Sequence, residues 1–259
     1  MIASRRILLV AMLAFAPLAF ASSPAQTVAA KAGFTQRLGA EIPGDLTFRD
    51  EAGEPVALRD FYGDLPVVLV FAWFGCTTLC PTVTSNLAHA LAGAGEPVDR
   101  YRVVVASIDP RDSPLDAAQM KRRVLRDDAG QSSAWHFLTG REASITALTR
   151  AAGFGYAYDA NTHQYAHPAG YVLLTPDGRI SRYFLGFDFT PDEFHHALDD
   201  AGRRGVAATP VDRLLLLCFH FAPTGRYSAT VMEALRVASV ALLVLAAGIV
   251  VWKRRAAAG

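Results

Sequence analysis

The run Pro66–Phe74, PVVLVFAWF, restricts the fold more than any other part of the chain. It is continuously apolar and rich in β-branched residues. A stretch of this kind has no face to offer water, so it reads as a strand buried on both sides, in a sheet covered by helices. The residues that follow it, GCTTLCPTVT, carry Cys76, Cys80 and Pro81, and Pro81–Ala92 has apolar residues at helical spacing in Val83, Leu87, Ala90 and Leu91. Strand and helix patterns then alternate. YRVVVASID (101–109) is a second buried strand. DSPLDAAQMKRRVL opens a helix with Ser113 as N-cap, Pro114 at the first helical position and Asp116 at the third. WHFLT (135–139) is a short strand, and Glu142–Ala152 is a helix stopped by Gly153. GYVLLTPDGRISRYFLG is a hairpin turning at Pro176-Asp177-Gly178, and Pro191–Ala201 is a last helix. Ahead of them all, LTFRD and EPVAL form a hairpin around Glu51–Glu54.

This order predicts an α/β domain with a largely parallel sheet. Its topology is that of a thioredoxin-like domain, a central sheet flanked by helices, with an N-terminal hairpin extension. The cysteine pair then lies after the first central strand and at the start of a helix, where such a fold keeps its chemistry.

The two ends predict a location. Arg5 and Arg6 precede the apolar stretch Ile7–Phe20, and Ala19-Phe20-Ala21 fits a signal peptidase site, so residues 1–21 read as a cleaved signal peptide. Residues 22–39 are small and polar and read as a tether. The thioredoxin-like domain is expected over 40–205 and a membrane-proximal segment over 206–230. Val237–Trp252 carries no charge and, extended back to residue 231, reads as one transmembrane helix (231–252). Lys253, Arg254 and Arg255 follow it, which places the tail 253–259 in the cytoplasm and the domain outside. A formal net charge of +1 gives no reason to expect a nucleic acid partner.

An exported chain is free to form disulfides, yet three cysteines are too few for a disulfide scaffold. Cys76 and Cys80 can direct both sulfurs at one point, and the dipole of the following helix favours thiolates there. Redox pairs usually have two intervening residues, and this pair has three. The wider spacing suits a soft ion such as Cu(I), completed by a neutral nitrogen, while structural zinc needs four ligands that this chain does not supply. Seven histidines are available. His89 reads as solvent-facing, His136 as packed in a strand, and His195 and His196 as the polar face of the last helix. His163 and His167 lie before the strand GYVLLT, in a loop that such a sheet brings toward the helix start. His167, nearer the strand, is the preferred third ligand and His163 the second choice. Leu214–Phe221 is an apolar segment carrying Cys218 and His220, read as interfacial packing rather than a second metal or docking element.

FGCTTLCP after a buried strand, SIDPRDSP some way downstream, and HPAGYVLLTPDGRI at the hairpin together resemble the SCO/SenC family, over roughly residues 40–201. Members are thioredoxin-fold copper proteins of mitochondrial and bacterial inner membranes. The resemblance implies a membrane-anchored chaperone, not primarily an enzyme, that delivers copper to the binuclear copper site of cytochrome c oxidase subunit II. Its ligands would be Cys76, Cys80 and His167, on the periplasmic face of a bacterial inner membrane. Thr77-Thr78 stands where many members have Pro-Asp, Ala166 stands where an acidic residue is common, and the anchor is C-terminal where most members have it at the N-terminus. The alternatives are a thiol–disulfide oxidoreductase using Cys76 and Cys80 on exported partner cysteines, and a thiol peroxidase, whose local pattern TTLC (77–80) matches.

Overall fold

The structure, a computed structural model, describes residues 31–76, 79–126, 129–186, 190–207, 237–242 and 248. The expected signal peptide, Cys218, His220 and the expected cytoplasmic tail lie outside these residues, as does most of the expected span 231–252. Residues 237–242 are helical. Among the described residues no helix is long and apolar enough to cross a membrane.

In chain order the strands and helices are β1 (Gly33–Phe34), β2 (Thr47–Arg49), β3 (Pro55–Ala57), β4 (Val67–Ala72), α1 (Leu79–Gly93), β5 (Arg102–Ser107), α2 (Pro114–Val124), β6 (Trp135–Leu138), α3 (Glu142–Ala151), β7 (Phe154–Gly155), β8 (Ala157–Asp159), β9 (Gln164–Ala166), β10 (Gly170–Leu174), β11 (Ile180–Leu185) and α4 (Pro191–Gly202). The central sheet runs β11-β10-β4-β5-β6. β4, β5 and β6 are parallel, and β10 is antiparallel to both β4 and β11. The sheet is therefore mixed rather than largely parallel, because the β10–β11 hairpin necessarily contributes antiparallel neighbours.

Every residue of β4 is buried. Val68, Val70 and Ala72 face a core built with Leu87, Leu91, Met120, Phe194 and Leu198 from α1, α2 and α4. Val67, Leu69 and Phe71 face the opposite core, with Ile145 and Leu148 of α3 and Ile42, Phe48 and Phe61 of the N-terminal extension. The result is three layers, as the unbroken apolar run requires. The α2 cap has its expected form: Ser113 Oγ accepts from the Asp116 N–H, and Asp116 Oδ2 accepts from the Ser113 N–H at 2.8 Å. The β2–β3 hairpin forms as an antiparallel pair.

Two expectations need correction. The tether was drawn over 22–39, but from residue 31 the chain is bound to the domain. β1 pairs with β7, and the Phe34 ring stands edge-on to Phe154 and Tyr183 at 5.3 and 5.6 Å. A two-residue strand is too short to show a period, so the sequence gives no sign of it. Residues 154–166, expected as loop, form β7 and the β8–β9 hairpin. This hairpin is a separate two-stranded sheet, with His163 in its turn at a φ of 54°.

Candidate metal centre

β4 ends at Ala72, and the turn after it carries the first cysteine. The Cys76 N–H donates to the Trp73 carbonyl at 3.1 Å. Phe74 is held from both sides: its N–H donates to Asp112 Oδ2 at 3.0 Å, and its carbonyl accepts from the Arg123 guanidinium at 3.2 Å. The Ser107 hydroxyl also donates to Asp112 Oδ2, at 2.6 Å, and burial pushes the Asp112 carboxyl up from its ordinary value. A side chain at Gly75 would start 2.7 Å from Trp73 Nε1, so the indole covers this position and only glycine fits beneath it. Cys80 lies in the first turn of α1 and is 4% exposed, whereas Cys76 is half-buried. Neither is in a disulfide, and their side chains are neighbours.

The histidine arrives by topology. β10 runs antiparallel to β4 with Tyr171 opposite Val70, so the residues just before β10 lie beside the turn just after β4. His167 is among them. Its Nε2 stands 3.4 Å from Cys80 Sγ, across a sequence separation of 87 residues. Its Nδ1 stands 3.0 Å from the Pro168 carbonyl. A carbonyl only accepts, so the proton is on Nδ1 and the Nε2 lone pair faces the sulfur. Burial holds the His167 pKa below its ordinary value, which keeps the ring neutral. The ring also packs against Phe154, at 6.1 Å between centres.

The dipole at the start of α1 led us to expect a lowered thiol pKa. For Cys80 the shift is the reverse. Burial, with a smaller contribution from the nearby Cys76, pushes the thiol up to about 12, although a hydrogen bond involving the Trp73 backbone works the other way. Desolvation of a thiolate in an apolar core outweighs a helix dipole. Without metal, therefore, Cys80 is an S–H that donates to His167 Nε2.

Of the three residues expected to converge, Cys80 and His167 are in contact and Cys76 is beside Cys80. Among the described residues, no group of three His, Cys, Asp or Glu side chains is arranged to hold a metal ion. The donor set nevertheless fits a soft ion. With metal–sulfur and metal–nitrogen bonds of about 2.3 and 2.0 Å, two ligands of one ion stand about 3.3–3.7 Å apart, and the Cys80–His167 separation lies in that range.

The other described histidines are engaged elsewhere or exposed. His163 is exposed, with Nδ1 3.1 Å from the Tyr158 hydroxyl. His136 is half-buried against Phe61, His195 pairs with the buried carboxylate of Glu96, and His89 and His196 are exposed. An aromatic group beside the site escaped sequence reasoning. Tyr165 on β9 stands edge-on to Trp73 at 5.7 Å and packs on Tyr158 and Tyr156 at 5.1 and 6.0 Å. Arg111 makes a two-pronged pair with the buried Asp109 and lies 5.2 Å from the centre of the Tyr158 ring. The alternation of Tyr156 and Tyr158 before Asp159-Ala160-Asn161 was the available signal, since it marks a strand running into a turn.

A model of the SCO1/SenC family matches residues 34–201. The SCO1 protein homolog of Bacillus subtilis (strain 168) is 24% identical over 149 residues, covering 56% of this chain and 75% of that protein. A crystal structure of a proposed electron transfer protein from Aquifex aeolicus VF5 superposes with a TM-score of 0.58 at 25% identity, covering 66% of this chain and 97% of that one. The copper-bound ScoI of Arabidopsis thaliana superposes with a TM-score of 0.52 at 19% identity, over 63% of this chain and 99% of that one, and this likeness is one of fold.

Proposed function

The chain belongs to the SCO1/SenC family, and from that premise we propose that it is a membrane-anchored chaperone that carries copper to the binuclear copper site of cytochrome c oxidase subunit II. The observation that carries this reading is the 3.4 Å approach of Cys80 Sγ to His167 Nε2 from segments 87 residues apart. In this reading Cys76, Cys80 and His167 are the ligands of the copper cargo. His167 offers Nε2 without losing a proton, because its Nδ1–H is already committed to Pro168. Cys80 and Cys76 release their thiol protons as the ion binds. Three soft ligands leave one side of the ion open, so an acceptor's ligands can displace them one by one. Cys76, the less buried thiol, lies on the side where such an acceptor enters.

Residues 1–21 are proposed to direct export, and 231–252 to hold the domain on the periplasmic face of a bacterial inner membrane. The test is oxidase assembly in cells lacking this protein. The wild-type chain is expected to restore copper in subunit II and His167→Ala is not. A second reading, thiol–disulfide exchange with partner cysteines, is favoured by two adjacent cysteines that are not joined in a disulfide. Full restoration by His167→Ala together with failure of Cys80→Ser would select that reading. A peroxidase would need an accessible thiolate, whereas the Cys80 thiol is buried and raised in pKa.

A further inference from the structure

His167 has no place in the central sheet. It follows β9, and β8–β9 is a separate two-stranded sheet of short strands. An isolated hairpin of this kind is marginally stable in water. The start of β10 brings His167 near the cysteine turn, and side-chain contacts with the hairpin complete the placing of its ring over Cys80. The cysteine turn presents the Trp73 indole, which lies over Gly75. β9 presents Tyr165, two residues before His167. We propose that the Tyr165 ring, edge-on to Trp73 at 5.7 Å, is the positioning contact that holds His167 against Cys80.

Tyr165 is suited to this role by its surroundings. Tyr156 and Tyr158 pack on its ring within the same segment of chain. Its hydroxyl lies near the Asp109 carboxylate and the Arg111 guanidinium, which ties the hairpin to the loop after β5. Three segments distant in sequence thus meet on one side chain: the cysteine turn, the loop after β5, and the strand that leads to His167. Edge-to-face aromatic pairs have preferred geometry, so this contact sets a position as well as burying surface. The role builds on the copper reading above, but its first test does not depend on copper.

The test uses the full chain in detergent, with histidines labelled with nitrogen-15 and the His167 signals assigned from their absence in His167→Ala. The metal-free wild type is expected to show one His167 tautomer, protonated at Nδ1. Tyr165→Leu, which keeps apolar volume without the ring, is expected to give an averaged tautomer signal and a Cu(I) affinity lower by about 10–100-fold, as for loss of support behind a metal ligand. Tyr165→Phe, which keeps the ring, is expected to restore both. A wild-type imidazole signal in Tyr165→Leu overturns the proposal. If Tyr165→Leu does not fold, Trp73→Leu removes the same contact from the opposite side, and an unchanged His167 signal there overturns it equally. A wild-type chain that takes no copper would defeat the chaperone reading, while the metal-free signals would still decide the role of Tyr165.

Discussion

At the scale of single residues, the site rests on one proton. The Pro168 carbonyl fixes it on His167 Nδ1, and this leaves the other nitrogen free toward Cys80. The spacing of Cys76 and Cys80 and the place of His167 before GYVLLT were legible in the sequence, because thiols and imidazoles stand out by residue type and position. The Cys80 thiol pKa was not, because it depends on burial in a core, shared with Phe74, Val83 and Tyr171, which the chain assembles only in three dimensions. Trp73 was likewise read as the end of a strand. Its indole in fact lies over Gly75 in the cysteine turn, and Gly75→Ala tests what that contact does. The added methyl group would start 2.7 Å from Trp73 Nε1, so the indole must move. The expected outcome is altered tryptophan fluorescence and copper affinity lower by about tenfold, with the fold intact by circular dichroism.

Among elements, those with strong local signals were read correctly, and β1, β7, β8 and β9 were missed. The α2 cap was legible in Ser113-Pro114-Leu115-Asp116 because capping is chemistry within one turn. Ser113→Ala is expected to cost about 1 kcal/mol in a denaturant titration. β1 and β7 were invisible because each is two residues long and is stabilised by a partner far along the chain. Their junction is sensitive at Gly153, which has a φ of 63° and where a Cβ would stand 1.9 Å from the Thr35 carbonyl oxygen. Gly153→Ala is expected to lower the melting temperature by several degrees or to prevent folding, because both the backbone conformation and the contact oppose it. The outer edge of β6 shows how a strand edge is covered. The Phe137 N–H donates to Glu51 Oε2 at 2.9 Å, and Lys121 joins Glu51 to the Trp135 carbonyl. Burial alone would raise the Glu51 pKa, but Lys121 and the Phe137 N–H outweigh it and the net shift is downward from 4.5. The folded state therefore gains stability from ionised Glu51 above pH 4.5 and loses it as the pH falls through the lowered value. Glu51→Gln is expected to be less stable near neutrality by about 1–3 kcal/mol, with the gap closing in melts taken at progressively lower pH.

For the whole molecule, the sequence carried the architecture because each face of the sheet is written in one strand: alternate residues of Val67–Ala72 serve the two cores. The topology then brings the start of β10 to the end of β4, and with it the histidine to the cysteines. What the sequence did not carry is the bracing of the β8–β9 hairpin, since aromatic contacts between segments leave no local period. The proposed anchoring makes a separate prediction. Mass spectrometry of the membrane-bound chain is expected to find Ser22 as its first residue, and protease added from the cytoplasmic side is expected to reach only residues 253–259. The central claim, that two sulfurs and one imidazole hold a single soft ion, is tested most directly by the copper content of the full chain purified with its thiols reduced. One copper per wild-type chain is expected, with none retained by Cys76→Ser or Cys80→Ser and weakened binding in His167→Ala. A Cys80→Ser chain that keeps its full copper would contradict the account.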